Sequence, residues 1–149
     1  MDRIIICLAL IACGFLNAYD GKLLTGKTWI CSSVSPNEKV TMRLNTKDIY
    51  YANGTFESDG VMEIILNDSG VKLSFENPVS GKWRIDNDKF ISSITKYRLK
   101  SKDNNPLSKI FEMDGFEGQE NETVSIISEL NESRFKISDD NDSCYANKI

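Results

Sequence analysis

The sequence predicts an all-β fold: an antiparallel meander of eight to nine strands closed into a small barrel. Three observations carry that expectation. Apolar and polar residues alternate with a period of two along most of the chain after residue 25, the pattern of strands with one face in a core. Turn residues such as Asn53-Gly54 and Asn67-Asp68-Ser69-Gly70 interrupt the alternation at short intervals, as hairpin connections require. No stretch of comparable length carries an amphipathic 3.6-residue period, so helical crossovers are not expected.

The chain has 149 residues, and its first segment reads as a leader. Met1-Asp2-Arg3 supplies a positive charge, Ile4 to Leu16 is almost wholly apolar, and Asn17-Ala18 ends in a small residue before the polar Tyr19-Asp20-Gly21. Those are the marks of a signal peptide. The apolar run is about 13 residues, too short for the ~20 that span a bilayer. Residues 1–18 are therefore expected to be removed, leaving 19–149 as one domain of about 130 residues, near the commonest domain size. A competing route is a lipobox reading of Leu10-Ile11-Ala12-Cys13-Gly14, with Cys13 lipidated and anchoring the chain. The soluble product is preferred, because the lipobox route leaves an unusually short leader and keeps Phe15-Leu16 in the mature chain.

Strands are expected at about 27–33, 39–45, 48–52, 55–66, 71–76, 81–86, 89–99, 122–130 and 134–139. Val40, Met42 and Leu44 alternate with polar neighbours, as do Val71, Leu73 and Phe75, Trp83 and Ile85, and Phe135 and Ile137. Turns are read at Asn53-Gly54, at 67–70, at Asn77-Pro78-Val79-Ser80-Gly81, at Asn87-Asp88 and at Asn131-Glu132-Ser133. Gly60 inside a long strand is read as a bulge. A meander of this size hides its edges best by closing on itself. Between 101 and 121 the rhythm breaks. Pro106, Leu107, Ile110 and Phe111 suit a short helix, and the connection is long enough to act as a plug or a lid.

Cleavage after Ala18 leaves two cysteines, Cys31 and Cys144, with one way to pair. In an oxidising compartment such a pair is expected as a disulfide. It joins the first predicted strand to the tail, which indicates a structural staple rather than a redox centre.

Gly26-Lys27-Thr28-Trp29-Ile30-Cys31, Tyr51-Ala52-Asn53-Gly54-Thr55-Phe56 and Ser80-Gly81-Lys82-Trp83-Arg84-Ile85 occur in that order. In order and rough spacing this resembles small bacterial lipocalin-like exported proteins. The likeness covers roughly residues 25–99. It departs from true lipocalins in placing Gly-x-Trp mid-chain, at Gly81, while the first strand carries Gly-x-x-Trp. The resemblance implies a lipocalin-like barrel, export to the periplasm or the extracellular space (or envelope anchoring through Cys13), and no assigned activity.

Composition narrows the chemistry. There is no histidine, which removes the commonest general base and transition-metal ligand. No Gly-x-Ser-x-Gly elbow is present. Nearly all of the Asp and Glu residues are read at outward or turn positions, so no catalytic residues, metal or cofactor are assigned and an enzyme is not expected. Asp139, Asn141 and Ser143 match only the start of a calcium loop and are read as part of an acidic tail. The net charge of −4, with Lys and Arg scattered, argues against nucleic acid and anionic membrane partners. Five Asn-x-Ser/Thr sequons, at Asn53, Asn67, Asn121, Asn131 and Asn141, sit at predicted turns and would be glycosylation sites in a eukaryotic secretory route.

The leading expectation is a monomeric exported binding protein that holds a small apolar or amphipathic ligand or a protein partner. Candidate ligand or lid residues are Trp29, Tyr50, Tyr51, Trp83, Phe111 and Phe116. An exported protease inhibitor of the small-barrel type, and a structural or envelope protein without ligand, are the alternatives.

Overall fold

Among the described residues the alternating runs form nine strands in one antiparallel sheet, and eight of them close a ring of hydrogen bonds. In the computed structural model, residues 18–117, 121–138 and 142–147 are described, with the side chains of Asp114, Phe116 and Glu117 set aside. Cys13 and the predicted leader up to Asn17 lie outside the described residues, as do Asp139 and Asn141. The strands are β1 (Thr28–Pro36), β2 (Val40–Tyr50), β3 (Thr55–Leu66), β4 (Val71–Asp86) and β5 (Lys89–Ser101), followed by β6 (Met113–Glu117), β7 (Glu122–Leu130), β8 (Arg134–Ile137) and β9 (Ser143–Asn147). A one-turn 3-10 helix, Gly21–Leu23, precedes them, and α1 (Pro106–Ile110) separates β5 from β6. Among the described residues no helix is long and apolar enough to cross a membrane.

Ring order follows chain order. Each of β1 to β5 pairs with the next, β5 pairs with β7, β7 with β8, β8 with β9, and β9 returns to β1. Strand β6 stands outside the ring and pairs with the far end of β5. Closure is unequal along the strands. Strand β9 covers only Thr28–Ser32 of β1, and β7 covers only Lys89–Ser93 of β5. One end is thus a closed belt; at the other, the longer parts of β1 to β5 extend beyond it as a curled sheet.

Several expectations need correction. Residues 39–52 are not two strands but the single β2, and 71–86 not two but the single β4. The Asn77–Gly81 run, read as a turn, is strand interior. Pro78 is tolerated there with its side chain exposed. Gly60 is no bulge, since its pairing with Thr46 on one side and Asn77 on the other is continuous. What Gly60 provides is close approach: a Cβ there would lie 3.0 Å from the Asn77 carbonyl oxygen and 3.2 Å from Thr46 Cγ2. The register shift falls instead between Ser80 and Gly81, where β5 carries one extra residue. There Gly81 is obligatory, because a Cβ would meet the Ser93 carbonyl oxygen at 2.0 Å. The shift lets Phe90 and Ser92 before it, and Tyr97 and Leu99 after it, share the inner face despite their opposite parity. Part of the tail read as acidic is β9.

Cys31 and Cys144 sit directly opposite one another on β1 and β9 and are joined by a disulfide. The bond closes the seam of the ring across 113 residues of sequence, as expected for a staple.

Two apolar clusters fill the ends. The closed end holds Leu24, Trp29, Tyr50, Phe90, Ile127, Leu130, Phe135 and Cys144, with Trp83, Phe56 and Ile137 packed against them. The open end holds Leu73, Phe75 and Leu99, with Met62, Ile64 and Tyr97 around them. Helix α1 packs on β4 and β5. Asn105 caps it, its side chain accepting from the Leu107 N–H. Asp103 ties the segment to the sheet, accepting from the Ser74 N–H, the Asn105 N–H and the Ser108 hydroxyl.

Candidate functional site

Between the two apolar ends the inner wall turns polar. The even-numbered face of β2 continues from Leu44 through Thr46 and Asp48 to Tyr50. Opposite Asp48 on β3 stands Ser58, and beyond Gly60 on β4 stands Asn77. These residues line a cavity of about 310 Å³, together with Phe56, Val79, Phe90, Ser92, Tyr97 and Phe135. The disulfide forms part of the same wall. Ile94 and Tyr97 place one side of the cavity where β5 exchanges β7 for β6.

Tyr50 forms the floor. It is 6% exposed, and its ring lies 5.5 to 6.3 Å from those of Trp83, Phe90, Phe56 and Phe135, within the range of favourable aromatic pairing. Its hydroxyl stands beside the Asp48 carboxylate. Burial and then the neighbouring Asp48 charge push the Tyr50 phenol well above its usual range, so it stays a neutral donor.

Asp48 is the chemical centre of the wall. Its Oδ1 accepts from the Ser58 hydroxyl at 2.6 Å, and the Thr46 and Tyr50 hydroxyls stand close by. Burial pushes its carboxyl above the ordinary carboxylate value, and the three hydroxyls pull it back in part. Asn77 is 4% exposed, and its Oδ1, among the described residues, is a buried acceptor without a hydrogen-bond partner. Such an atom costs about 1–3 kcal/mol when left unsatisfied. Asp142 lines the wall as well, and among the described lining residues there is no Lys or Arg.

The sequence-predicted candidates divide. Tyr50 lines the cavity. Trp29 is fully buried in the closed-end cluster, its indole N–H donating to the Leu24 carbonyl at 2.9 Å. Trp83 belongs to the same end, donating to the Thr55 and Tyr51 carbonyls. Neither is in the cavity lining. Tyr51 is exposed, its hydroxyl donating to Glu57. Phe111 is exposed beside α1, and no described side chain of the 101–117 segment is in the lining. Phe116 lies on β6 opposite Tyr97, with its side chain outside the described ones.

Two site residues escaped sequence reasoning, Asp48 and Asn77. The reading that carboxylates face outward fails at Asp48. The available signal was parity: Asp48 continues the face of Val40, Met42 and Leu44, and Asn77 that of Val71, Leu73 and Phe75.

The Cys31, Asp48 and Cys144 ligand atoms lie within 4.8 Å of one another. Both sulfurs are spent in the disulfide, so no thiolate is left to bind a soft metal. Compared with known protein families and with curated proteins, the sequence matches none.

Proposed function

We propose that this chain is an exported, non-enzymatic binding protein that holds a small amphipathic molecule inside its ring. The observation that carries the reading is the cavity of about 310 Å³ between two apolar clusters. That volume sits at the lower end of ligand pockets, about 300–1,000 Å³, and an apolar wall with few fixed polar groups is typical of them. Export is supported by the leader-like first 18 residues and by the disulfide. The eight-strand ring and the Gly81-x-Trp83 motif support kinship with small bacterial lipocalin-like proteins, acting as a monomer without nucleic acid.

The test is native mass spectrometry of the intact protein, as purified and after incubation with a mixture of small amphipathic compounds. A bound adduct is expected, and it should vanish in Ser92→Phe, which fills the cavity. A folded wild-type protein that retains no compound from such a mixture would sink the reading.

A further inference from the structure

Two acceptors stand out in the mostly apolar cavity wall, the Asp48 carboxylate and Asn77 Oδ1. An ionised carboxylate offers about four lone-pair sites. At Asp48 the Ser58 hydroxyl takes one, with the Thr46 and Tyr50 hydroxyls beside the carboxylate, and all three groups are neutral. Among the described lining residues no cation stands against this carboxylate. Asn77 Oδ1, two strands away across the space Gly60 leaves, has no donor among the described residues. No cationic side chain is among the described lining residues. Buried acceptors without donors, and buried charge without a counter-charge, are costly. A ligand that supplies both a donor and a positive charge relieves both costs.

Around these acceptors stand aromatic faces: Tyr50, Phe56, Phe90, Tyr97 and Phe135. Aromatic rings attract cations through their negative faces and pack apolar ligand bodies through their area. A bare divalent ion fits poorly, since a hard cation needs six or more oxygen ligands and most of this wall is carbon. An anionic ligand would meet the Asp48 carboxylate, with no Lys or Arg among the described lining residues.

Resting on the reading of the cavity as a binding site, we propose that its ligand is a small organic ammonium. It is a protonated primary or secondary amine on an aryl or alkyl body. The charged nitrogen faces the Asp48 carboxylate, an N–H or O–H of the ligand satisfies Asn77 Oδ1, and the body lies among the aromatic rings. Asp48 and Asn77 are then the residues that set specificity.

The experiment compares three probes of nearly equal size by titration calorimetry at pH 7: phenethylamine, 2-phenylethanol and phenylacetate. The amine is expected to bind at least tenfold tighter than the alcohol, with phenylacetate weakest. In Asp48→Asn the amine should lose that advantage while the alcohol binds as before. Asn77→Leu should weaken the amine severalfold, and it keeps the test decisive if Asp48→Asn fails to fold by circular dichroism. Equal binding of amine and alcohol, or an amine preference that survives in Asp48→Asn, overturns the ammonium assignment and leaves the cavity as a binding site. Failure of all three probes to bind the folded wild type overturns both.

Discussion

Replacing Gly81 by alanine tests the closure of the ring at its tightest point. The added Cβ would lie 2.0 Å from the Ser93 carbonyl oxygen, 3.0 Å from the Ser93 carbonyl carbon and 2.7 Å from Phe56 Cε1. The Phe56 ring can tilt, but Ser93 is backbone in the β4–β5 ladder, paired with Lys82. Relief therefore requires the two strands to part. Overpacking in a well-filled interior costs about 1–3 kcal/mol, and each ladder hydrogen bond lost adds about 0.5–1.5 kcal/mol. With two such bonds weakened, the loss is about 2–6 kcal/mol, a large share of the ~5–15 kcal/mol that holds a domain together. Urea unfolding followed by tryptophan fluorescence reads it directly, since the Trp83 indole bonds to carbonyls of the adjoining hairpin. Gly70→Ala is the control: Gly70 has φ +67 but open space around it, so only the left-handed backbone is penalised, by about 1 kcal/mol. If Gly81→Ala unfolds within about 1 kcal/mol of Gly70→Ala, the argument from close approach fails.

Three further outcomes are expected. Reducing the Cys31–Cys144 bond should lower the urea midpoint, with an upper bound of ~4–5 kcal/mol from the chain-entropy model for so long a loop; an unchanged midpoint would remove its role as a staple. Asp48 carries a raised carboxyl pKa in the folded protein, so its contribution to stability is fully present below the unfolded value of 3.8 and is lost as pH rises through the folded value. Comparing wild type with Asp48→Asn over that window should show the wild type gaining relative stability toward acid, and the reverse slope would contradict its burial. Asp103 behaves oppositely: hydrogen bonds from Ser108, Ser74 and Asn105 hold its carboxyl low, so its contribution is present above 3.8 and is lost as pH falls through the folded value. Hydrogen exchange should show the Ser74 and Asn105 amides deprotected in Asp103→Ala, while the amides of the closed end stay slow.

The strand runs with apolar inner faces were legible because period-two alternation and burial coincide there. Val71, Leu73 and Phe75 are one example, and Phe135 and Ile137 another. Legibility failed where the inner face is polar. At Thr46–Asp48 and at Asn77–Gly81 the alternation of hydrophobicity stops while the alternation of side chains continues, so strand interior was taken for a break or a turn. Those two places supply Asp48 and Asn77. The polar residues of the candidate site are thus the same residues that hid it, because a polar inner wall suspends the rule by which strands are recognised. Strand β6 was hidden for another reason: it pairs with only a few residues at one end of β5 and carries little alternation of its own. The cysteine pairing, by contrast, needed only a count.

The seam between β1 and β9 also has a meaning in time. Strands β1 to β5 meet their ring neighbours through short hairpins, and so do β7 to β9, whereas Cys31 and Cys144 are brought together across 113 residues. Contacts between distant parts of a chain form late, because loop closure must come before they contribute. Oxidation of this pair is then a record that assembly has finished rather than a guide to it. The thiols meet only in a chain whose hairpins have already found their register, so quality control by disulfide exchange would act here on the last step of folding.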